Sequence, residues 1–154
     1  MFRIAICEDE TECLNRIKDF LILYEAEHHQ GLFKVDSFCD MESLFVKENV
    51  IDQYDLLLLD IYMGKMNGIE AARELRTKGF QGQIVFMTSS RDFALLAISV
   101  DATQYLLKPV EKQPFFNAID KVLVSTQNRT HDCIMVHTVN GNSFECPGKC
   151  ITWI

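Results

Sequence analysis

The chain has 154 residues, of which 48% are hydrophobic, and a formal net charge of −7, so it can form one domain of about 100 to 150 residues and a short further segment. The negative charge argues against strong nucleic-acid binding by this chain alone, because phosphate contacts need clustered lysine and arginine. No apolar segment approaches the roughly 20 residues of a membrane span, and the acidic start lacks the apolar region of a signal peptide, so we expect no membrane partner and a cytoplasmic protein with reduced cysteines.

Five short apolar segments are predicted to form strands. They lie at residues 3–7, 33–37, 55–59, 83–87 and 104–107. The third segment contains four consecutive leucines, which is typical of a strand that is buried on both faces. Its last leucine is followed directly by a carboxylate, Asp60.

Amphipathic helices are predicted after each strand. The first helix has Leu14, Ile17, Leu21 and Tyr24 on one face, and the second covers 41–46, after an Asp40 cap. The third helix, "GIEAARELRTKG", stops at Gly79, and the fourth covers 91–100. The fifth helix begins near Pro114 and turns Phe115, Ile119 and Val122 inward. This alternation predicts a doubly wound parallel sheet whose ligand site lies beyond the carboxyl ends of the strands.

The character of the chain changes after residue 126. Residues 127–132 are polar and are predicted to form a linker, and residues 133–154 are predicted to form strands around the turn "NGN". This last segment is too short for a core of its own, because chains below roughly 40 residues usually need staples or partners.

Polar side chains follow four of the predicted strands. Glu8 and Asp9 follow the first strand, Asp60 the third, Thr88 and Ser89 the fourth, and Lys108 the fifth. Each of these residues has a purely structural explanation, because acids cap helices, hydroxyls begin turns, and lysines are usually solvated. Together they are expected to converge on one edge of the sheet, because parallel strands end at the same edge.

The convergence predicts phosphoryl-transfer chemistry. Two carboxylates about 4 Å apart repel by roughly 4 kcal/mol at an effective dielectric constant near 20, and a hard cation such as Mg²⁺ offsets that repulsion. Asp60 is the type of nucleophile that forms an acyl phosphate. Lys108 could balance the charge on the transferred oxygens, and Thr88 could donate a hydrogen bond to one of them.

The motifs "CEDE", "LLLLDIYMGKMNG", "FMTSS" and "QYLLKP" resemble those of a bacterial response-regulator receiver domain, in the same order and with similar spacing. The resemblance covers residues 1–126 and implies the flavodoxin-like receiver fold, with a five-stranded parallel sheet and five helices. It also implies that Asp60 is the phosphoacceptor. Glu8, Asp9 and the backbone carbonyl of Tyr62 would join Asp60 in a Mg²⁺ site.

The same resemblance implies that Thr88 and Lys108 assist the transfer and that Thr88 and Tyr105 form a conformational switch. Tyr105 could instead be a half-buried aromatic residue that only packs. Ser89 is small enough to leave the phosphoryl group accessible. Two positions depart from the family pattern: Gly64 stands where proline is frequent, and Glu8 stands where a second aspartate is usual.

The segment "RDFALLAISVDATQYLLKPV" is similar to receivers that are joined to LytTR-type DNA-binding domains, and residues 133–154 resemble the first strands of such a domain. This implies phosphorylation by a sensor histidine kinase, a homodimer through the face of the fourth and fifth helices, and DNA binding only in a full-length protein. We therefore expect the sequence to be a shortened form of a longer regulator. Its enzymatic activity would be self-phosphorylation and autodephosphorylation at most.

Three other interpretations of the sequence remain open. The domain could be an interaction module that needs no phosphate. It could be an enzyme of the haloacid-dehalogenase type, but Tyr62 stands where such enzymes need a second aspartate. A zinc site could form from tail residues, although their spacing matches no known zinc motif. The candidate ligands are His131, Cys133, His137, Cys146 and Cys150.

Overall fold

The structure is a computed structural model that describes residues 1–28, 30–46, 53–63, 66–131, 134–137 and 143–146, with side chains up to residue 127. Gly64 lies outside the described residues. So do the side chains of the five candidate zinc ligands in the tail, and that prediction therefore stays a prediction.

Five parallel strands form one sheet in the order β2-β1-β3-β4-β5. The strands are β1 (Phe2–Cys7), β2 (Phe33–Phe38), β3 (Leu56–Asp60), β4 (Gln83–Thr88) and β5 (Gln104–Leu107). Each agrees with its predicted segment to within one residue at either end. The strand order reverses between β1 and β3, and in sheets of this kind the ligand crevice opens at that point, beyond the carboxyl ends of the strands.

Five helices of the described residues cover the two faces of the sheet. α1 (Thr11–Glu27) and α5 (Lys112–His131) pack on one face, and α2 (Met41–Val46), α3 (Gly68–Thr77) and α4 (Ala94–Ser99) pack on the other. This arrangement confirms the predicted doubly wound fold. None of the described helices combines the length and the apolar character that a transmembrane span requires.

Two helices differ from their predicted bounds. α4 begins three residues later than predicted, because the Ser90 side chain accepts a hydrogen bond from the Asp92 N–H at 3.1 Å and donates one to the Asp92 carboxylate at 2.9 Å, which holds a turn before the helix. α5 begins at Lys112, with Pro114 in its first turn. It extends through residue 131, so residues 127–131 of the predicted linker are helical.

The side chains of β3 alternate between two hydrophobic cores. Leu57 and Leu59 pack with α2, α3 and α4, whereas Leu56 and Leu58 pack with α1 and α5, and all four are fully buried. Burial of a leucine side chain stabilises a fold by about 1.5 to 3 kcal/mol. Asp60 is therefore the last residue of a strand that is fixed on both faces.

Arg76 joins the C-terminal ends of α3 and α4. Its guanidinium donates hydrogen bonds to four carbonyl oxygens: those of Val100 (3.0 Å), Phe80 (2.8 Å), Gly82 (2.8 Å) and Asp101 (3.1 Å). Val100 and Asp101 directly follow α4. The C-terminal end of that short helix is thus attached to the end of α3.

The tail contains a separate pair of strands. β6 (Ile134–His137) and β7 (Ser143–Cys146) are antiparallel, with Ile134 opposite Cys146. Strands flanking "NGN" were predicted here, although residues 138–142 between them lie outside the described part of the chain.

Candidate functional site

Three of the predicted site residues meet at the carboxyl edge of the sheet. Glu8 follows β1, Asp60 ends β3 and Lys108 follows β5. The Nζ atom of Lys108 lies 2.7 Å from Asp60 Oδ2, and 2.9 and 2.8 Å from the two carboxylate oxygens of Glu8. Glu8 is 1% exposed and Asp60 is 4% exposed. The sheet therefore buries two carboxylates around one ammonium group.

The protonation of Lys108 follows from these contacts. Burial alone would lower the pKa of its ammonium group, but hydrogen bonds to Asp60 and Glu8, together with their negative charges, outweigh it and raise the pKa above its ordinary value. Lys108 is consequently a cation at neutral pH, in position to contact oxygens carried by Asp60.

Three carboxylates at this edge fit a hard divalent cation. Oxygen atoms of Glu8, Asp9 and Asp60 lie within 4.8 Å of one another. The Oε2 atom of Glu8 is buried without a hydrogen bond, although it lies at ion-pair distance from Lys108. Mg²⁺ binds carboxylate oxygens and keeps several waters, so these three residues could supply its protein ligands.

Tyr62 and Gly68, on either side of the loop after β3, lie close to the end of that strand. The backbone N–H of Tyr62 donates a hydrogen bond to Asp60 Oδ1 at 3.2 Å. Gly68, the first residue of α3, donates its N–H to the Ile61 carbonyl at 2.9 Å. A Cβ atom at Gly68 would lie 2.3 Å from the Asp60 carbonyl oxygen, so only glycine allows α3 to begin this close to the strand.

Thr88 and Tyr105, the predicted switch residues, lie close together. Thr88 is fully buried, and its hydroxyl oxygen accepts a hydrogen bond from the Ser90 N–H at 3.3 Å. The Tyr105 hydroxyl donates to the Ser90 carbonyl at 2.5 Å. Burial raises the pKa of Tyr105, while the Phe93 backbone and the Thr88 hydroxyl partly offset that effect. The Tyr105 ring packs against the core, and its role in switching stays a prediction.

A cleft of about 530 Å³ opens over the site. Five predicted residues line it: Asp9, Asp60, Tyr62, Ser89 and Lys108. Thr88 is fully buried and does not line the cleft. The cleft is also lined by residues that the sequence analysis did not single out, including Glu10, Cys13 and Arg16.

Of these additional residues, Glu10 lies near Lys108 and Cys13 contacts Glu8. One of its carboxylate oxygens lies 3.7 Å from Lys108 Nζ. As the third acid of "CEDE", Glu10 could have been found from the sequence. Cys13 lies beneath the acids, and burial, together with a hydrogen bond to Glu8, raises the pKa of its thiol to about 12. The thiol is therefore neutral at neutral pH.

A family model matches most of the chain. Residues 4–120 match the response regulator receiver domain. Curated relatives include the sensory transduction protein LytR of Staphylococcus saprophyticus, which is 28% identical over 120 residues, with 78% of this chain and 45% of the relative covered. The sensory transduction protein LytT of Bacillus subtilis is 28% identical over 144 residues, with 85% and 54% covered.

A further relative is the transcriptional regulatory protein LytR of Staphylococcus aureus, which is 33% identical over 112 residues, with 73% of this chain and 40% of the relative covered. The chain therefore spans about half the length of the curated relatives it matches.

Solved structures show the same fold. The response regulatory domain of protein mrkE from Klebsiella pneumoniae has a TM-score of 0.71 at 22% identity, with 82% of this chain and 99% of that chain covered. A response regulator receiver domain protein from Clostridium thermocellum has a TM-score of 0.69 at 23% identity, with 83% and 98% covered.

Proposed function

The chain belongs to the response regulator receiver domain family, whose members are signalling switches of two-component systems, and from this premise we propose that Asp60 accepts a phosphoryl group from a sensor histidine kinase. One observation carries the proposal. Asp60 is a buried carboxylate at the end of a fixed strand, and its two oxygens contact different donors, the Lys108 ammonium and the Tyr62 N–H. It also lines an open cleft that a phosphodonor can enter.

The proposed transfer exchanges one bond to phosphorus for another. A carboxylate oxygen of Asp60 bonds to phosphorus while the bond from phosphorus to the kinase histidine nitrogen breaks, and the histidine keeps that electron pair and takes up a proton. Lys108 donates hydrogen bonds to the phosphoryl oxygens, and the Thr88 hydroxyl turns toward them. Mg²⁺ held by Glu8, Asp9, Asp60 and the Tyr62 carbonyl would supply further positive charge.

We also propose that the phosphoryl group changes the surface formed by α4 and α5, that two copies pair through this surface, and that a full-length protein thereby controls transcription through a LytTR domain. In this proposal β6 and β7 are the first strands of that domain. Support comes from the names of the relatives, one of which is a transcriptional regulatory protein. Such a switch requires phosphorylation to favour one conformation by a few kcal/mol.

The first experiment is phosphorylation by a small donor. Incubation with acetyl phosphate and Mg²⁺, followed by intact mass spectrometry, should add one phosphoryl group to the wild type and none to Asp60→Asn. The matched control is Asp19→Asn, which changes an exposed aspartate of α1 and should leave the adduct unchanged. Addition of EDTA should slow formation of the adduct.

Two results would refute the proposal: no adduct on the wild type, or an equal adduct on Asp60→Asn. The first would favour an interaction module that works without phosphate. Sustained consumption of acetyl phosphate, at a rate far above the loss of the adduct, would instead indicate an enzyme.

A further inference from the structure

Phe93, the residue immediately before α4, lies next to two tyrosines near the candidate phosphorylation site. Its ring meets the ring of Tyr62 edge to face, with centroids 5.4 Å apart and an interplanar angle of 86°. On its other side, its backbone faces the hydroxyl of Tyr105, which in turn donates a hydrogen bond to the Ser90 carbonyl. Tyr62 follows β3 and Tyr105 lies in β5, and both are next to Phe93.

Tyr62 links Phe93 to Asp60 directly. Its backbone N–H donates to Asp60 Oδ1, whereas the residue is 50% exposed and belongs to neither hydrophobic core. A change in the charge and bonding of the Asp60 carboxylate therefore acts on the Tyr62 backbone, and the ring carries the displacement to Phe93. Edge-to-face ring pairs favour a limited range of geometries, so a shift of one ring favours a matching shift of the other.

The two ends of α4 are held differently. Its C-terminal end is held by the hydrogen bonds of Arg76 to the Val100 and Asp101 carbonyls. Its N-terminal end has no side-chain cap, and the Phe93 carbonyl accepts the Ala97 N–H at 2.9 Å. Displacement of Phe93 would therefore tilt α4 about its fixed end. The tilt would move three exposed apolar residues, Leu95, Leu96 and Ile98.

We propose that Phe93 couples the phosphorylation site to α4 and combines the displacements of Tyr62 and Tyr105 into one movement of the helix. The inference rests on the proposed phosphorylation of Asp60. Phe93 is a positioning residue, because it acts through the two tyrosines and does not contact the reacting atoms. This coupling requires that α4 have two arrangements, one favoured by unmodified Asp60 and the other by phosphorylated Asp60.

The test measures phosphorylation and the response of α4 separately in the same sample. Intact mass gives the phosphorylated fraction after treatment with acetyl phosphate and Mg²⁺, and hydrogen–deuterium exchange of residues 94–99 gives the response. Phosphorylation should change exchange in the wild type. Phe93→Leu, which keeps an apolar side chain without the ring, should take up phosphate within about twofold of wild type but lose about half or more of the change in exchange.

Variants at Tyr62 examine the ring contact from the other side, compared at equal phosphorylated fraction. Tyr62→Leu should reduce the α4 response as Phe93→Leu does, whereas Tyr62→Phe, which keeps the ring, should preserve it. The α4 response of the Phe93→Leu and Tyr62→Leu double variant should be no smaller than that of the single variant with the smaller response, because both substitutions remove the same ring contact. The matched control is Phe38→Leu, which removes an edge-to-face contact with Tyr54 (6.4 Å, 88°) and should leave the response intact.

The outcomes separate the two proposals. A full α4 response in phosphorylated Phe93→Leu or Tyr62→Leu overturns the coupling role of Phe93, as does a phosphorylated wild type whose α4 exchange is unchanged. Absence of the phosphoryl adduct on the wild type overturns the proposed function, and the coupling inference with it. An equal loss in Phe38→Leu would show a general effect of removing aromatic contacts and would also count against the inference.

Discussion

The ammonium group of Lys108 lies 2.7 Å from Asp60 and 2.8 Å from Glu8, two carboxylates that the sheet buries. Without a nearby cation, each buried carboxylate would pay its full desolvation cost. The pKa of Lys108 is raised above its ordinary value of 10.5. Its contribution to stability is therefore fully present below that pH and is lost only as the pH rises through the higher pKa of the folded state.

Replacement of Lys108 by methionine should destabilise the protein by about 3 kcal/mol in the presence of EDTA, because two buried carboxylates lose their cation. Mg²⁺ should restore part of this loss and should stabilise the variant more than the wild type, since the ion then supplies the missing charge. Urea unfolding with and without Mg²⁺ measures both effects.

The control is Lys112→Met, which removes an ion pair with Glu27 whose side chains are 46% and 44% exposed. Such exposed pairs contribute only about 0 to 1 kcal/mol. Equal losses in the two lysine variants, or a Lys108→Met variant that is insensitive to Mg²⁺, would contradict the buried role of Lys108.

At the scale of elements, α3 begins directly against the end of β3. The approach depends on Gly68, because its hydrogen atom occupies the place of a Cβ that would lie 2.3 Å from the Asp60 carbonyl oxygen. The Gly68 N–H donates to the Ile61 carbonyl, so the helix also fixes the first residue after the strand. The position of Asp60 thus depends on the close approach of α3 to the end of β3.

Gly68→Ala should lower the free energy of unfolding by about 3 kcal/mol, because the added methyl group forces a backbone shift. The appropriate control is Gly31→Ala. Gly31 has φ of +74°, and a Cβ there would meet nothing within 4 Å, so its cost should be limited to about 1 to 2 kcal/mol of conformational strain. Urea unfolding measures the loss of stability in each of the two glycine variants. Equal losses would show that the close approach at Gly68 does not matter.

Sequence patterns were sufficient for the strands but not for every helix end. The apolar segments end where polar residues begin, so the strand bounds agree to within one residue. The start of α4 could not be predicted in this way. The apolar pattern of residues 91–100 suits a helix throughout, but hydrogen bonds between Ser90 and Asp92 hold the first residues in a turn, and such local competition has no periodic signal.

For the site, chain order and residue type were enough to bring Glu8, Asp60 and Lys108 together, because parallel strands end at one edge. The contact of Tyr62 with Phe93 depends on how two loops are placed relative to each other, which no spacing encodes. The four carbonyl contacts of Arg76 were likewise missed. Arg76 is a cation in the last turn of α3, a position that suits the helix dipole and indicates none of these contacts.

At the scale of the molecule, the exposed apolar residues of α4 are candidates, among the described residues, for a contact with a second copy. Leu95 is 81% exposed and Ile98 is 72% exposed, and Val124 of α5 is 57% exposed. Leu95 and Ile98 are three residues apart in one helix and therefore lie on the same face, and exposed apolar residues that cluster can mark a binding site. These residues support the proposed pairing through α4 and α5.

Phosphorylation of the wild type should therefore shift its sedimentation coefficient from that of a monomer toward that of a dimer. Leu95→Glu combined with Ile98→Glu should weaken the dimer by about tenfold or more, because charges would replace central apolar contacts. The phosphoryl adduct should be unaffected. The control is Ile22→Glu on α1, where the residue is 64% exposed. If the control prevents dimerisation and the α4 variant does not, the pairing surface lies on α1.

The four leucines of β3 have a consequence for how the sheet is assembled. Because leucines point into both cores, sliding the strand by one or two residues would place leucine on leucine, and the apolar pattern alone does not prevent such a slip. The polar ends do. Asp55 accepts the Arg3 N–H at 2.7 Å, and Asp60 meets Lys108. A slip would draw one of these carboxylates into the leucine core, at the cost of burying an unpaired charge. The residue proposed to receive the signal therefore also marks the position at which its own strand must stop.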